Sequence, residues 1–140
     1  MPLITIAANT SPIFALKPET KVNVKITAAT TDKSGATTAN IKDLVTASTD
    51  GTKVTWIKFK HVGNSTAGIF LIWITDTAGA NPTLFYEQTY TAITSSTTVT
   101  TAEGTITFND LQLKSGQKIQ VGATVYNTDI HVTASIGDFS

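Results

Sequence analysis

Proton transfer near neutral pH is the work of histidine, and this chain has two, His61 and His131. Both fall inside alternating strand patterns on faces of mixed polarity. A catalytic imidazole needs a nucleophile within hydrogen-bond reach and a third group to orient it. Ser65 and Asp129 lie near them in sequence, but loop Ser and Asp are common in such chains, so both histidines read as surface or satisfied strand residues. The acids are scattered: Glu19, Asp32, Asp43, Asp50, Asp76, Glu87, Glu103, Asp110, Asp129 and Asp138. No local pair suggests the two-carboxylate chemistry of glycoside hydrolysis. Asp50-Gly51, Asp76 and Asn127–Asp129 are loop oxygens of the kind Ca²⁺ accepts, yet no D-x-[DN]-x-[DN]-G run occurs and turn formation is the simpler reading. The absence of Cys excludes disulfides, thiol catalysis and thiolate metal sites. Neither G-x-x-x-x-G-K-[ST] nor G-x-G-x-x-G is present to cradle a phosphate. The expectation is therefore no enzyme, no cofactor and no metal.

Aromatic side chains are the remaining candidates. Trp56, Trp73, Tyr86 and Tyr90 offer flat apolar faces that could stack on a sugar. Trp73 lies in the most apolar strand and reads as core. Trp56, beside Lys58 and Lys60, reads as a surface or interface anchor. Asn9-Thr10-Ser11 and Asn64-Ser65-Thr66 match the glycosylation acceptor pattern, which carries little weight without a secretion signal.

The elements that must position these residues are strands. Thr makes up 28 of 140 residues, and β-branched Thr suits a half-wet pleated surface. No helical apolar period runs for three turns, whereas turn residues recur every 8 to 16 positions, the spacing of a sandwich or barrel. Lys21–Thr27 alternates with Val22, Val24 and Ile26 on one face. Ile41–Ala47 is a short strand. Lys53–Val62 sets Thr55, Ile57, Phe59 and His61 against Val54, Trp56, Lys58 and Lys60. Gly68–Thr75 is apolar on both faces, as a central strand is. Leu84–Ala92, Gly104–Leu113 with a bend near Asn109-Asp110, Lys118–Tyr126 and Asp129–Ile136 complete about eight strands. The last two, linked through Asn127-Thr128, are expected to form a hairpin. Ala92–Thr101, nearly all Ser and Thr, fits either an edge strand or a loop. The fold class is all-β: a single antiparallel β-sandwich, jelly-roll-like, over residues 21–140. The expected core is Ile69, Leu71, Trp73, Ile119, Val121, Val125, Ile130 and Val132.

Residues 1–20 differ. Pro2, Pro12 and Pro18 oppose regular pairing, while Ile4, Ile6, Ile13, Phe14 and Leu16 supply apolar area. They are expected to form an extended N-terminal arm that lies on its own domain or on a partner. Ten Lys balance ten acids without any Arg, so the chain carries no electrostatic footprint for nucleic acid. The longest apolar run, Ile69–Ile74, is too short to cross a membrane as a helix, and the start lacks the basic region of a secretion signal.

One set of motifs, taken in order, resembles a group of small proteins from tailed-phage structural gene regions. The motifs are Asp50-Gly51-Thr52, Thr66-Ala67-Gly68, the L-x-L-x-x-G-x-x-[IL] turn of Leu111–Ile119, and the closing Gly137-Asp138-Phe139. The resemblance implies a virion protein on the capsid surface, a decoration or cement protein whose partners are the major capsid protein or other virion proteins. A tail, fibre or receptor-binding module, with carbohydrate as one target, is the other role it implies. Such a protein is expected to form homo-oligomers and to act by contact alone, through Trp56 and the apolar residues of the arm.

Overall fold

The computed structural model describes residues 17–139. These form eight strands: β1 (Lys17–Ile26), β2 (Lys42–Thr46), β3 (Thr52–His61), β4 (Gly68–Ile74), β5 (Thr83–Tyr90), β6 (Glu103–Leu113), β7 (Lys118–Ala123) and β8 (Ile130–Asp138). They make two antiparallel sheets, a first of order β1-β8-β3-β6 and a second of order β2-β7-β4-β5. The ladders β1·β8, β2·β7, β3·β6 and β4·β5 are nested: first strand with last, second with seventh, and so inward. One long antiparallel ribbon, doubled at β4·β5 and rolled so that its pairs alternate between sheets, gives this order, which is that of a jelly roll.

Side-chain alternation puts one face of each sheet into a shared core. Ile57, Phe59, Ile130, Val132 and Ala134 come from the first sheet; Phe70, Ile72, Ile119, Val121 and Ala123 come from the second. Phe59 and Phe70 stack across the interface with centroids 4.5 Å apart. Each such side chain contributes about 1.5–3 kcal/mol by leaving water. Six of the eight expected core residues are fully buried, while Ile69 and Val125 are half-buried.

Three expectations are corrected. Strands β7 and β8 are not a hairpin: they lie in different sheets, and residues 124–129 cross the sandwich between them. Ile119 and Val121 thus face Ile130 and Val132 across the core. Val22 does not share the face of Val24 and Ile26. A bulge between Lys21 and Val24, with Asn23 at φ 70°, rotates the strand and leaves Val22 54% exposed. Val54 joins Ile57 in the core because the β3·β8 register shifts between Val54 and Trp56, and the extra residue, Thr55, turns the face over. The bend expected near Asn109-Asp110 is present, for β6 spends four steps between Leu111 and Thr107 where β3 spends two.

Residues 17–20 belong to β1, where Pro18 stands opposite Gly137. Strand β1 is an edge, the one place where a strand tolerates a proline. The remainder of the expected arm, with Ile4, Ile6, Ile13, Phe14 and Leu16, lies outside the described residues. Residues 92–101 form a loop, tied by the Ser65–Ile93 bridge and a turn in which Ser96 N–H donates to the Val99 carbonyl at 3.0 Å.

Candidate functional site

Cross-strand partners share a face, so register places every outward residue of the first sheet. At one end, Lys25 of β1, His131 of β8, Lys60 of β3 and Glu103 of β6 form a row. The next row holds Thr133, Lys58 and Thr105, with the β1 bulge at its side. A third holds Thr20, Ser135, Trp56 and Thr107. Lys53 and Gln112 follow. Lys58 and Lys60 each place Nζ 3.4 Å from one oxygen of Glu103, and their hydrogen bonds hold that carboxyl below its ordinary range. Beside the bulge, Val22, Asn23, Lys25, His131 and Thr133 line a groove of about 300 Å³. Trp56, the one sequence-selected contact residue among those described, stands half-buried at the centre of this face.

The centre of the second sheet's outer face is covered, while Asp43, Glu87 and Thr89 toward its edges are exposed. Leu71 and Trp73 are fully buried there with Ile41, flanked by Ile69 and Leu84. The roof is the β1–β2 connection, residues 27–41. Trp73 Nε1–H donates to the Lys33 carbonyl at 2.9 Å, Thr30 N–H donates to the Ala123 carbonyl at 2.7 Å, and Lys33 pairs with Glu87 at 2.7 Å. Gly122 lets the indole lie flat: a Cβ there would stand 3.0 Å from the Trp73 ring.

The four aromatics do not make one platform. Trp56 is on the first sheet, and Trp73, Tyr86 and Tyr90 are on the second. Tyr90 is buried and donates its hydroxyl to the Val125 carbonyl at 2.8 Å, and burial raises its pKa. Sequence reasoning missed the seam between edge strands β5 and β6. There Phe85, 45% exposed, meets Phe108 at 5.9 Å with Tyr86 beside it. The available signal was a large aromatic, Phe85, on the polar side of its strand with Glu87 and Thr89.

The histidines are far from equivalent. His61 is buried, its Nδ1 3.1 Å from the Ala102 carbonyl and its ring 4.6 Å from Tyr90. Burial pushes its pKa down, and the Ala102 contact opposes this. The Ser65 hydroxyl is committed to the Thr91 carbonyl at 2.8 Å. His131 is exposed. The loop acids serve their own turns. Asp76 accepts from Ala78 N–H, Ala80 N–H and Asn81 Nδ2, and Asp32 accepts from Ser34 and Thr37, so both carboxyls sit below their ordinary range. Asp129 accepts from the Tyr126 hydroxyl at 2.7 Å. Among the described residues no three His, Cys, Asp or Glu gather as a metal-holding group.

Three of the four motifs that carry the phage resemblance meet at one corner. Phe139 N–H donates to the Gly51 carbonyl at 3.1 Å, and Thr52 Oγ1 donates to Asp138 at 2.7 Å. Gly51 has φ 97°, and a Cβ on it would lie 2.8 Å from the Leu113 carbonyl oxygen. The motifs form a clasp between strand ends.

These features define a class: an eight-stranded jelly-roll β-sandwich whose second sheet is roofed over Leu71 and Trp73. Compared with known proteins, the chain matches no protein-family model and no curated protein.

Proposed function

We propose that this chain is a structural virion protein of a tailed bacteriophage, set on the capsid surface as decoration or cement. It works by protein–protein contact, without catalysis or cofactor, and nucleic acid and membrane play no part. The observation that carries the reading is the asymmetry of the two sheets. One outer face is covered at its centre, over Leu71 and Trp73, by the chain's own loop, and the other is a broad face of hydroxyls and lysines around Trp56. A face of this kind suits a module that lies flat on a shell. The ordered motifs of the clasp support the same reading, since they are the residues on which the resemblance rests. Partners are the major capsid protein and further copies of the chain. A half-buried Trp gives a modest anchor, so firm attachment comes from many copies acting together. Residues 1–16, with Ile4, Ile6, Ile13, Phe14 and Leu16, supply a second contact.

Co-sedimentation with capsids stripped of their outer proteins tests this. The full chain is expected to pellet with the shell at a fixed ratio per capsomer and to raise its disruption temperature. Trp56→Lys is expected to stay in the supernatant. A chain that never pellets, or pellets only with tails, overturns the capsid assignment.

A further inference from the structure

We propose that the outer face of the first sheet binds an acidic oligosaccharide, a sugar chain whose rings carry carboxylates. This does not rest on the capsid reading, but it uses the same face, so a shell and a sugar chain are alternative occupants of it. The first ground is the surround of Trp56. Its row neighbours are Thr20, Ser135 and Thr107, and the adjacent row holds Thr133 and Thr105. Hydroxyls both donate and accept, as sugar hydroxyls do, and an indole takes the apolar face of a pyranose ring. The second ground is charge. Lys53, Lys58 and Lys60 run along β3 with Lys25 of β1 on the same face, four lysines against two acids of β6: Glu103, which pairs with Lys58 and Lys60, and Asp110. The face is cationic in a chain whose formal net charge is zero. The third ground is shape. The groove of about 300 Å³ beside the Asn23 bulge is lined by Val22, Val24 and Val132 and offers a carboxylate the polar groups of Asn23, Lys25, His131 and Thr133.

The groove and the tryptophan set the ligand's length. From His131 to Ser135 along β8 is about 13 Å at the usual strand rise. One ligand that fills the groove and covers Trp56 is therefore an oligosaccharide and not a single sugar. An acidic peptide would use the lysines but leaves the hydroxyl rows without a purpose. Extended peptides dock along sheet edges through their backbones, and this site is a sheet face.

The test titrates the full chain, labelled with nitrogen-15, against oligogalacturonate, a neutral cello-oligosaccharide of equal length, and oligoglutamate. Saturable binding of oligogalacturonate is expected, with shifts concentrated at the Asn23 bulge, Thr133, Ser135 and the Trp56 indole. The neutral sugar and oligoglutamate are each expected to bind at least about tenfold more weakly. Trp56→Ala and Lys25→Gln are each expected to weaken oligogalacturonate by about tenfold, with thermal melts that remain cooperative. Thr133→Glu, at the groove's surface, is expected to do the same and stands in if Trp56→Ala fails to fold. The proposal is overturned by no saturable binding of oligogalacturonate, by equal binding of oligoglutamate, which would make the face a dock for acidic protein, or by variants that bind like the parent. Capsid co-sedimentation is scored separately, so either reading can fail alone.

Discussion

Trp56 and Trp73 both stand on outer sheet faces, and they end in opposite environments. Trp73 belongs to a strand that is apolar on both sides, so its face had to be closed, and residues 27–41 close it. The closure works because the roof supplies a carbonyl for the indole N–H and because Gly122 leaves room for the ring. Trp56 is surrounded by Thr, Ser and Lys, which water satisfies, and it stays half-buried. The lesson is that a buried aromatic on a sheet's outer face is an instruction to the loops, whereas a half-buried one among hydroxyls is left available for a partner.

The contrast can be broken most directly by truncating both rings. Trp73→Ala is expected to cost about 3–5 kcal/mol in a urea titration, and Leu71→Ala beneath the same roof about 2–5 kcal/mol. If either loses less than about 0.5 kcal/mol, the roof carries no stability and the contrast fails. Gly122→Ala pushes a methyl against Trp73 and Thr30 Oγ1 and is expected to cost about 1–3 kcal/mol. Trp56→Ala, with half the area to lose, is expected to cost about 1 kcal/mol. A cost equal to that of Trp73→Ala would show that the open face belongs to the core.

A pH series sharpens the picture at the level of single protons. His61 has an ordinary pKa of 6.5, and burial lowers it in the folded chain. The unfolded chain therefore takes up this proton first as pH falls. The stability that His61 confers is full above pH 6.5 and is lost as pH drops through the lowered folded value. Melting midpoints from pH 8 to pH 5 should decline, and His61→Gln should flatten the decline. Asp32 and Asp76 titrate below 3.8 and leave this window undisturbed. The smallest effect is expected from deleting residues 1–16. The unfolding free energy should change by less than about 0.5 kcal/mol, while capsid pelleting is lost. A truncated chain that fails to fold would assign the segment to the core and remove it from the docking proposal.

Much of this fold was legible because the period-two signal is strong where one face is buried. Strand β4 reads as central from Ile69–Ile74 alone, and Ile130, Val132, Ala134 and Ile136 alternate without a break. The sequence sets Trp56 on the face of Lys58 and Lys60, where the structure leaves it half-buried. The errors cluster where one extra residue changes a face. Nothing in the composition near Asn23 or Thr55 announces a bulge, yet each reverses the alternation on one side of itself. The β7–β8 link looked like a two-residue hairpin turn, and only the sheet order reveals that it changes sheets. The roof was invisible for a different reason: residues 31–40 have no apolar period, and they hold Trp73 through a backbone carbonyl that any sequence carries. The row of Lys25, His131, Lys60 and Glu103 brings together residues far apart in the chain, and no spacing rule connects them.

The nesting of the ladders sets a timetable for synthesis. The innermost pair, β4·β5, is closed by a short connection, so it can form as soon as its residues leave the ribosome. Among the described residues β1 pairs with β8 alone, and Lys17 meets Asp138 across nearly the whole length of the described chain. At about 5–20 residues per second, the first strand waits on the order of 10 s for its neighbour. During that time Val24 and Ile26 are newly made apolar surface without a sheet. Pro18, the charges of Glu19, Lys21 and Lys25, and the bulge at Asn23 make β1 a poor template for any other strand in the interval.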